Sequence, residues 1–263
     1  MAGVPLVLEG KTALITGGSR GIGAETVRLF TQAGARVAFS YRQARERAEA
    51  LAAECGGNER CIAIEQDLAT PADGRALVDA AVKAFGTLDM LVVNHGIWPP
   101  HDAPIATMSE RQWRETMGVN LDSVFGLVQA AVAQMERQTV SDGDARGHIV
   151  LISSTAGQRG EAYHADYAVT KGAMISLTKS LSSELAPRGI RVNCVAPGWV
   201  YTEMSAPTLD HPELGKRATA LIPVGRPGTP REIAGPVLFL CTPFAGFISG
   251  EVLNVNGGAV LVG

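Results

Sequence analysis

Seven short runs rich in valine, isoleucine and leucine recur along this chain, separated by longer stretches with helical spacing. The runs cover 12–16, 36–41, 61–65, 90–94, 148–153, 191–196 and 251–255. Each is almost continuously apolar, the pattern of parallel strands buried on both faces. The intervening stretches carry helix signals. One helix follows a glycine-rich loop and runs to about Ala33, with Gly34 as its stop. Thr70-Pro71 offers an N-cap and a proline at the first helical position. Thr229-Pro230-Arg231-Glu232 offers the same pair plus a capping-box glutamate. A further helix starts at Ser109 and runs past Phe125, and another spans 166–186. The alternation persists almost to the end. It predicts one doubly wound α/β domain over 1–263, a seven-stranded parallel sheet flanked by helices.

Two segments break the alternation. Residues 139–146, TVSDGDAR, are polar and read as an exposed loop. Residues 198–227 contain Pro207, Pro212, Pro223 and Pro227 and read as a long excursion of the kind that forms binding loops.

The chain has 263 residues, 46% of them hydrophobic, which is ample for a core. Its net charge of −3 gives no basic excess for nucleic acid or an anionic membrane. The N-terminal MAGVPLVLEGK lacks a basic n-region, and Glu9 and Lys11 break its apolar run, so no secretory signal is expected. No stretch reads as a membrane span. Cys55, Cys61, Cys194 and Cys241 form no C-x-x-C pair and match no common zinc spacing. A Cys55–Cys61 disulfide is conceivable, but four reduced thiols in a cytoplasmic protein are the plain reading. His95, His101, His148 and His211 have no metal-ligand spacing, and no metal is expected.

The loop itself reads TGGSRGIG, Thr16 to Gly23, between the first strand and the first helix. Gly17 suits a tight turn; Gly21 and Gly23 allow close backbone approach and close helix packing. The helix start behind them offers free N–H groups to a phosphate. In dinucleotide folds an acid about 20 residues further on holds the adenosine ribose. Here Ser40, Tyr41 and Arg42 occupy that place and no carboxylate is present. An acid would repel a 2′-phosphate, whereas Arg42 and Arg20 would pair with one, which favours NADP over NAD. Farther along, Tyr167 and Lys171 stand four apart, on one face of a helix. A nearby ammonium is expected to lower the tyrosine pKa from its usual value near 10.

Taken together these motifs resemble the short-chain dehydrogenase/reductase family over nearly the whole chain. TGGSRGIG matches that family's T-G-x-x-x-G-x-G loop, including Ser19 and Ile22, and Asp67, followed by Leu68, matches its adenine-contacting Asp. Asn94 and Gly96 match its N-A-G segment, with His95 in place of the alanine and Val93 in place of the usual first Asn. Asn120 matches the active-site Asn. Ser154, Tyr167 and Lys171 match the catalytic residues, and the serine-to-tyrosine interval selects Ser154 over Ser153 and Tyr167 over Tyr163. APGWVYTEM matches the loop beside the nicotinamide, through Pro197, Gly198, Val200 and Thr202, and ISGEVLNVNGG matches the last strand.

The resemblance implies a Rossmann-type fold, a homotetramer and NADPH as hydride donor to a carbonyl carbon. It implies Tyr167 as proton donor, with Ser154 bonding the carbonyl oxygen. Lys171 would lower the tyrosine pKa and hold the nicotinamide ribose, and Asn120 would position a water that refills the relay. Among relatives the chain is most similar to 3-oxoacyl-[acyl-carrier-protein] reductases, which implies a 3-oxoacyl thioester on an acidic carrier and a role in fatty acid biosynthesis. Arg188 and Arg137 are the candidate basic docking residues, and the acidic insertion at 139–146 puts that docking in doubt. A sugar, an alcohol or another small ketone is the alternative substrate. A non-catalytic NADP-binding protein is the remaining reading, although such a relative would normally have lost Tyr167 or Lys171. From their motif neighbours, Ile97, Trp98, Gln158, His164, Trp199 and Met204 are expected to line the substrate pocket.

Overall fold

The computed structural model describes residues 5–139 and 145–262. Its strands are β1 Thr12–Ile15, β2 Arg36–Tyr41, β3 Cys61–Glu65, β4 Met90–Val93, β5 Gly147–Ile152, β6 Ile190–Pro197 and β7 Val252–Val255. They form one parallel sheet in the order β3-β2-β1-β4-β5-β6-β7. Every run read from the sequence becomes a strand, to within one residue at either end. β1 has β2 on one side, with Ile15 beside Phe39, and β4 on the other, with Ile15 beside Val92. Strand order reverses between β1 and β4, which opens a crevice at their carboxyl ends, where doubly wound sheets bind ligands.

Ten α-helices are described: α1 Gly21–Gln32, α2 Arg45–Glu54, α3 Pro71–Phe85, α4 Glu110–Met117, α5 Ser123–Arg137, α6 Thr155–Arg159, α7 Ala165–Leu185, α8 Ala206–Leu209, α9 Pro212–Ala220 and α10 Pro230–Leu240. Val27 and Phe30 of α1 and Ile233 and Val237 of α10 bury one sheet face. Leu77 of α3, Leu127 of α5 and Met174 of α7 bury the other. Both faces are thus covered, which is why the strand runs lack polar alternation. Thr70 caps α3 and Thr229 caps α10 as their sequences predict, and both are reciprocal boxes, with Asp73 and Glu232 reaching back.

Two expectations change. The helix expected from Ser109 past Phe125 is interrupted: α4 runs into a π turn, Gly118–Asp122, before α5 begins. The excursion 198–227 is not bare loop, because it contains α8 and α9. The helical stretch Glu110–Arg137 passes for a membrane span by length and composition alone. In the fold it is core material, with Val124, Leu127, Val128, Ala131 and Met135 buried under α3 and the sheet. Residues 140–144 of the polar loop lie outside the described residues. All four cysteines are free thiols.

Candidate active site

The glycine loop leaves β1 and enters α1 at the crevice. Arg20, the N-cap residue of α1, makes no capping bond with its side chain, which leaves the N–H groups of the first turn available to an anion. The loop is held from three directions. Gly17 N–H donates to Ser40 Oγ at 3.1 Å. Asn94 Nδ2 donates to the carbonyls of Thr16 and Gly17, each at 3.1 Å. Gly23 packs so closely that a Cβ there would lie 2.1 Å from Gly17 O, so any side chain would push the loop off its helix. His95 bonds Thr16 Oγ1 through Nδ1 at 2.8 Å and reaches Val119 O and Ser123 Oγ through Nε2. Burial pushes its pKa down to about 4, so the imidazole is neutral at physiological pH.

A cleft of about 360 Å³ runs from this loop across the sheet edge. Gly17, Ser19, Arg20, Gly21 and Ile22 line its floor, and Ser40, Tyr41, Arg42, Asp67 and Leu68 line the end beside β2 and β3. Asn94, Gly96 and Ile97 lie in the middle, followed by Pro197, Gly198, Val200 and Thr202. Gly23 does not line the cleft; it packs against Gly17 and Asn94. Ser40 is buried, and its hydroxyl oxygen accepts from the glycine loop. Arg20 and Arg42 are both exposed at the rim. The uncapped helix start, the side-chain-free cradle and two rim cations fit a phosphate-bearing dinucleotide.

Farther along the cleft, β5 ends in Ser153 and Ser154, which do different work. Ser153 Oγ donates to Lys171 O at 2.7 Å and pins β5 to α7. Ser154 caps α6, accepting from Ala156 N–H at 3.1 Å, and its hydroxyl lies beside the Tyr167 phenol, whose pKa it draws down. The two helices touch backbone to backbone: a Cβ on Gly157 would lie 2.4 Å from the Lys171 carbonyl carbon. That contact brings Ser154 to the first turn of α7, where Tyr167 and Lys171 share a face. Lys171 is 6% exposed, and its Nζ donates to Ile152 O at 2.8 Å and sits over the Tyr167 ring, 5.7 Å from the centroid. Asn120 projects from the π turn. Its Oδ1 accepts from Ile97 N–H at 2.8 Å, and its Nδ2 donates to Ile97 O and Thr170 Oγ1. It does not line the cleft.

The electrostatics depart from the expectation that the ammonium lowers the tyrosine pKa. Burial pushes Tyr167 up to about 12, with the Ser154 bond opposing this and the Glu161 charge adding to it. Burial also pushes Lys171 down to about 8. A low-dielectric pocket disfavours phenolate and ammonium alike. The phenol is therefore held protonated, ready to donate, and the lysine sits near the edge of its charged range.

At the far end Trp98 and Trp199 meet edge to face, with centroids 6.3 Å apart. Both line the cleft, as does half-exposed Met204. Two expected pocket residues do not line it. Gln158 turns away to bond Asn254 Oδ1 on β7 through Nε2 at 2.5 Å. His164 is buried behind Trp98, stacked on it at 4.8 Å, with Nε2 at 3.0 Å from Pro99 O. Glu161 and Arg159, which carry no motif, line the cleft instead. Glu203, inside APGWVYTEM, is a third lining residue that the sequence reading does not single out. It pairs with Arg47 of α2 across the cleft and feels the Arg20 charge. Arg188, expected to be open for docking, is bound to Glu136 at 2.7 Å, with Glu184 at 3.8 Å.

The family profile described as Enoyl-(Acyl carrier protein) reductase matches residues 17–260. The chain is 38% identical over 255 residues to the 3-oxoacyl-[acyl-carrier-protein] reductase FabG of Vibrio cholerae, covering 97% of this chain and 99% of that protein. It is also 38% identical to an L-rhamnose 1-dehydrogenase (NAD(P)(+)) of Azotobacter vinelandii, over 96% of this chain and 98% of that one. A crystal structure of a short chain dehydrogenase from Burkholderia cenocepacia in complex with NADP superposes with a TM-score of 0.85 at 35% identity, covering 96% and 98% of the two chains.

Proposed function

This chain belongs to the short-chain dehydrogenase/reductase family, and we propose that it is an NADPH-dependent reductase that converts a ketone to a secondary alcohol. The observation that carries this reading is the convergence of Ser154, Tyr167 and Lys171 at the carboxyl edge of the sheet, beside an uncapped helix start. Tyr167 donates its phenolic proton to the substrate oxygen, and Ser154 bonds that oxygen as charge develops on it. Lys171, as the ammonium, stabilises the phenolate left behind. Asn120 fixes the backbone of Ile97 and, through Thr170, the first turn of α7, so it acts as a positioning residue.

The glycine loop would hold the pyrophosphate, with Arg20 and Arg42 on the 2′-phosphate and Thr202 by the carboxamide. When bound, NADPH supplies the hydride. Arg42→Asp is expected to shift the ratio of kcat/KM for NADPH over NADH by about 100-fold toward NADH, as loss of a charge-assisted contact and gain of a repulsive one require. Steady-state kinetics with both cofactors checks this, and an unchanged ratio would remove the 2′-phosphate assignment.

Two substrates fit the reading. A 3-oxoacyl thioester is supported by the likeness to the carrier-protein reductases. Against an acidic carrier stands Arg188, whose charge Glu136 and Glu184 already engage. A small sugar or alcohol is supported by the equal likeness to the L-rhamnose dehydrogenase. A homotetramer in the cytoplasm completes the proposal, with Phe125 on α5 and Val169 on α7 exposed as apolar surface for it.

A further inference from the structure

The cleft wall beyond Tyr167 holds an acid in an aromatic setting. Glu161 follows α6 in the turn that leads to α7, lines the cleft and is half-buried. The Trp98 indole lies close enough to its carboxyl to draw the pKa down, against the larger effect of burial. Trp98 is backed by stacked His164 and meets Trp199 edge to face, so a rigid aromatic pair stands on the side of the acid where Trp98 lies. The charge of Glu161 is felt at the Tyr167 phenol, which places the carboxylate close to the reacting end of the cleft. The other titratable groups facing it are Arg159 on the same wall, His164 behind Trp98, and Asp102.

A carboxylate near a tyrosine whose phenolate must form is a cost to the reaction. Its pKa is already raised by burial. An acyl chain would leave its free oxygen lone pairs unmet, a penalty that apolar ligands cannot remove. An ammonium ligand would satisfy them but would meet Arg159 on the same wall. Hydroxyl groups satisfy both: they donate to Glu161 and accept from Arg159, while the C–H face of a ring packs on indole. We propose that Glu161 is a specificity-determining residue that accepts hydrogen bonds from the hydroxyls of a small polyhydroxylated, sugar-like substrate packed against Trp98 and Trp199. This rests on the reductase reading above and narrows its substrate class.

The test runs the reaction in the oxidative direction with NADP⁺. L-rhamnose, D-glucose and D-ribose serve as hydroxylated probes, cyclohexanol as a ring of similar size without further hydroxyls, and a 3-oxobutyryl thioester with NADPH as the acyl probe. For wild type, at least one sugar is expected to exceed cyclohexanol in kcat/KM. In Glu161→Ala that sugar-to-cyclohexanol ratio is expected to fall about 10- to 100-fold, mostly through KM, as loss of a charged hydrogen-bond partner implies. Glu161→Gln, which keeps an acceptor oxygen without the charge, is expected to fall less. NADPH titration by fluorescence verifies that each variant is folded. A ratio unchanged in Glu161→Ala overturns the proposal. Turnover of cyclohexanol or the thioester, but of no sugar, overturns it while leaving the reductase reading intact. No turnover of any probe overturns both.

Discussion

Tyr167→Phe is expected to lower carbonyl reduction by about 1,000-fold or more, within the range that a positioned general acid contributes. NADPH affinity is expected to remain within about threefold, because the ring keeps its volume. The phenol is the group that touches both Ser154 and the cleft, and burial keeps it protonated at neutral pH by pushing its pKa up to about 12. Phenylalanine retains the ring packing and removes only the hydroxyl. Single-turnover kinetics alongside a cofactor titration separates the two effects. A variant that binds NADPH and still reduces ketones at near wild-type rate would remove Tyr167 as the donor.

Lys171→Met is expected to cut kcat about 100-fold or more and to change the shape of the pH profile. The sign follows from the ionisations. Lys171 titrates near 8, so its ammonium is present below that pH and is lost above it. Reduction generates phenolate, which the ammonium stabilises, so wild-type kcat/KM for reduction is expected to fall as pH rises through about 8. Oxidation begins from phenolate and is expected to rise over alkaline pH. Methionine has no ionisation, so the reductive limb near 8 should vanish with it. Persistence of that limb in the variant would assign it to another group. Because the Nζ donates to Ile152 O, the variant also leaves one buried carbonyl unpaired, so its folding is verified by cofactor titration.

The sheet was legible because its strands are buried on both faces and the apolar runs are continuous. The helix starts at Thr70 and Thr229 were legible because caps are local chemistry, read from four consecutive residues. That Tyr167 and Lys171 share a helix face was legible from their spacing; their meeting with Ser154 came from the family resemblance and not from spacing. It depends on Gly157 letting α6 lie against α7, a contact between segments that spacing does not encode.

The π turn around Asn120 was missed because its residues continue the periodicity of the helices on either side. Gln158 and His164 were misplaced for a related reason. Nearness in sequence to Tyr167 says nothing of which side of the α6–α7 turn a side chain takes. Gln158 found an amide on β7, and His164 found the back of Trp98. Glu161 went unremarked because a lone glutamate in a polar turn reads as solvated. The tyrosine pKa moved opposite to expectation because pairing with Lys171 was weighed without the burial that both groups share.

The central claim is that this cleft transfers hydride from NADPH to a carbonyl carbon. The most direct measurement supplies wild-type protein with NADPH deuterated at C4, in each of its two stereochemical forms, together with cyclohexanone and the 3-oxobutyryl thioester. Mass spectrometry then reads the alcohol product. Deuterium is expected at the carbinol carbon from one stereochemical form and not the other, in amounts equal to the cofactor oxidised. Bound NADPH with no deuterium in the alcohol from either form, on either carbonyl probe, would contradict it.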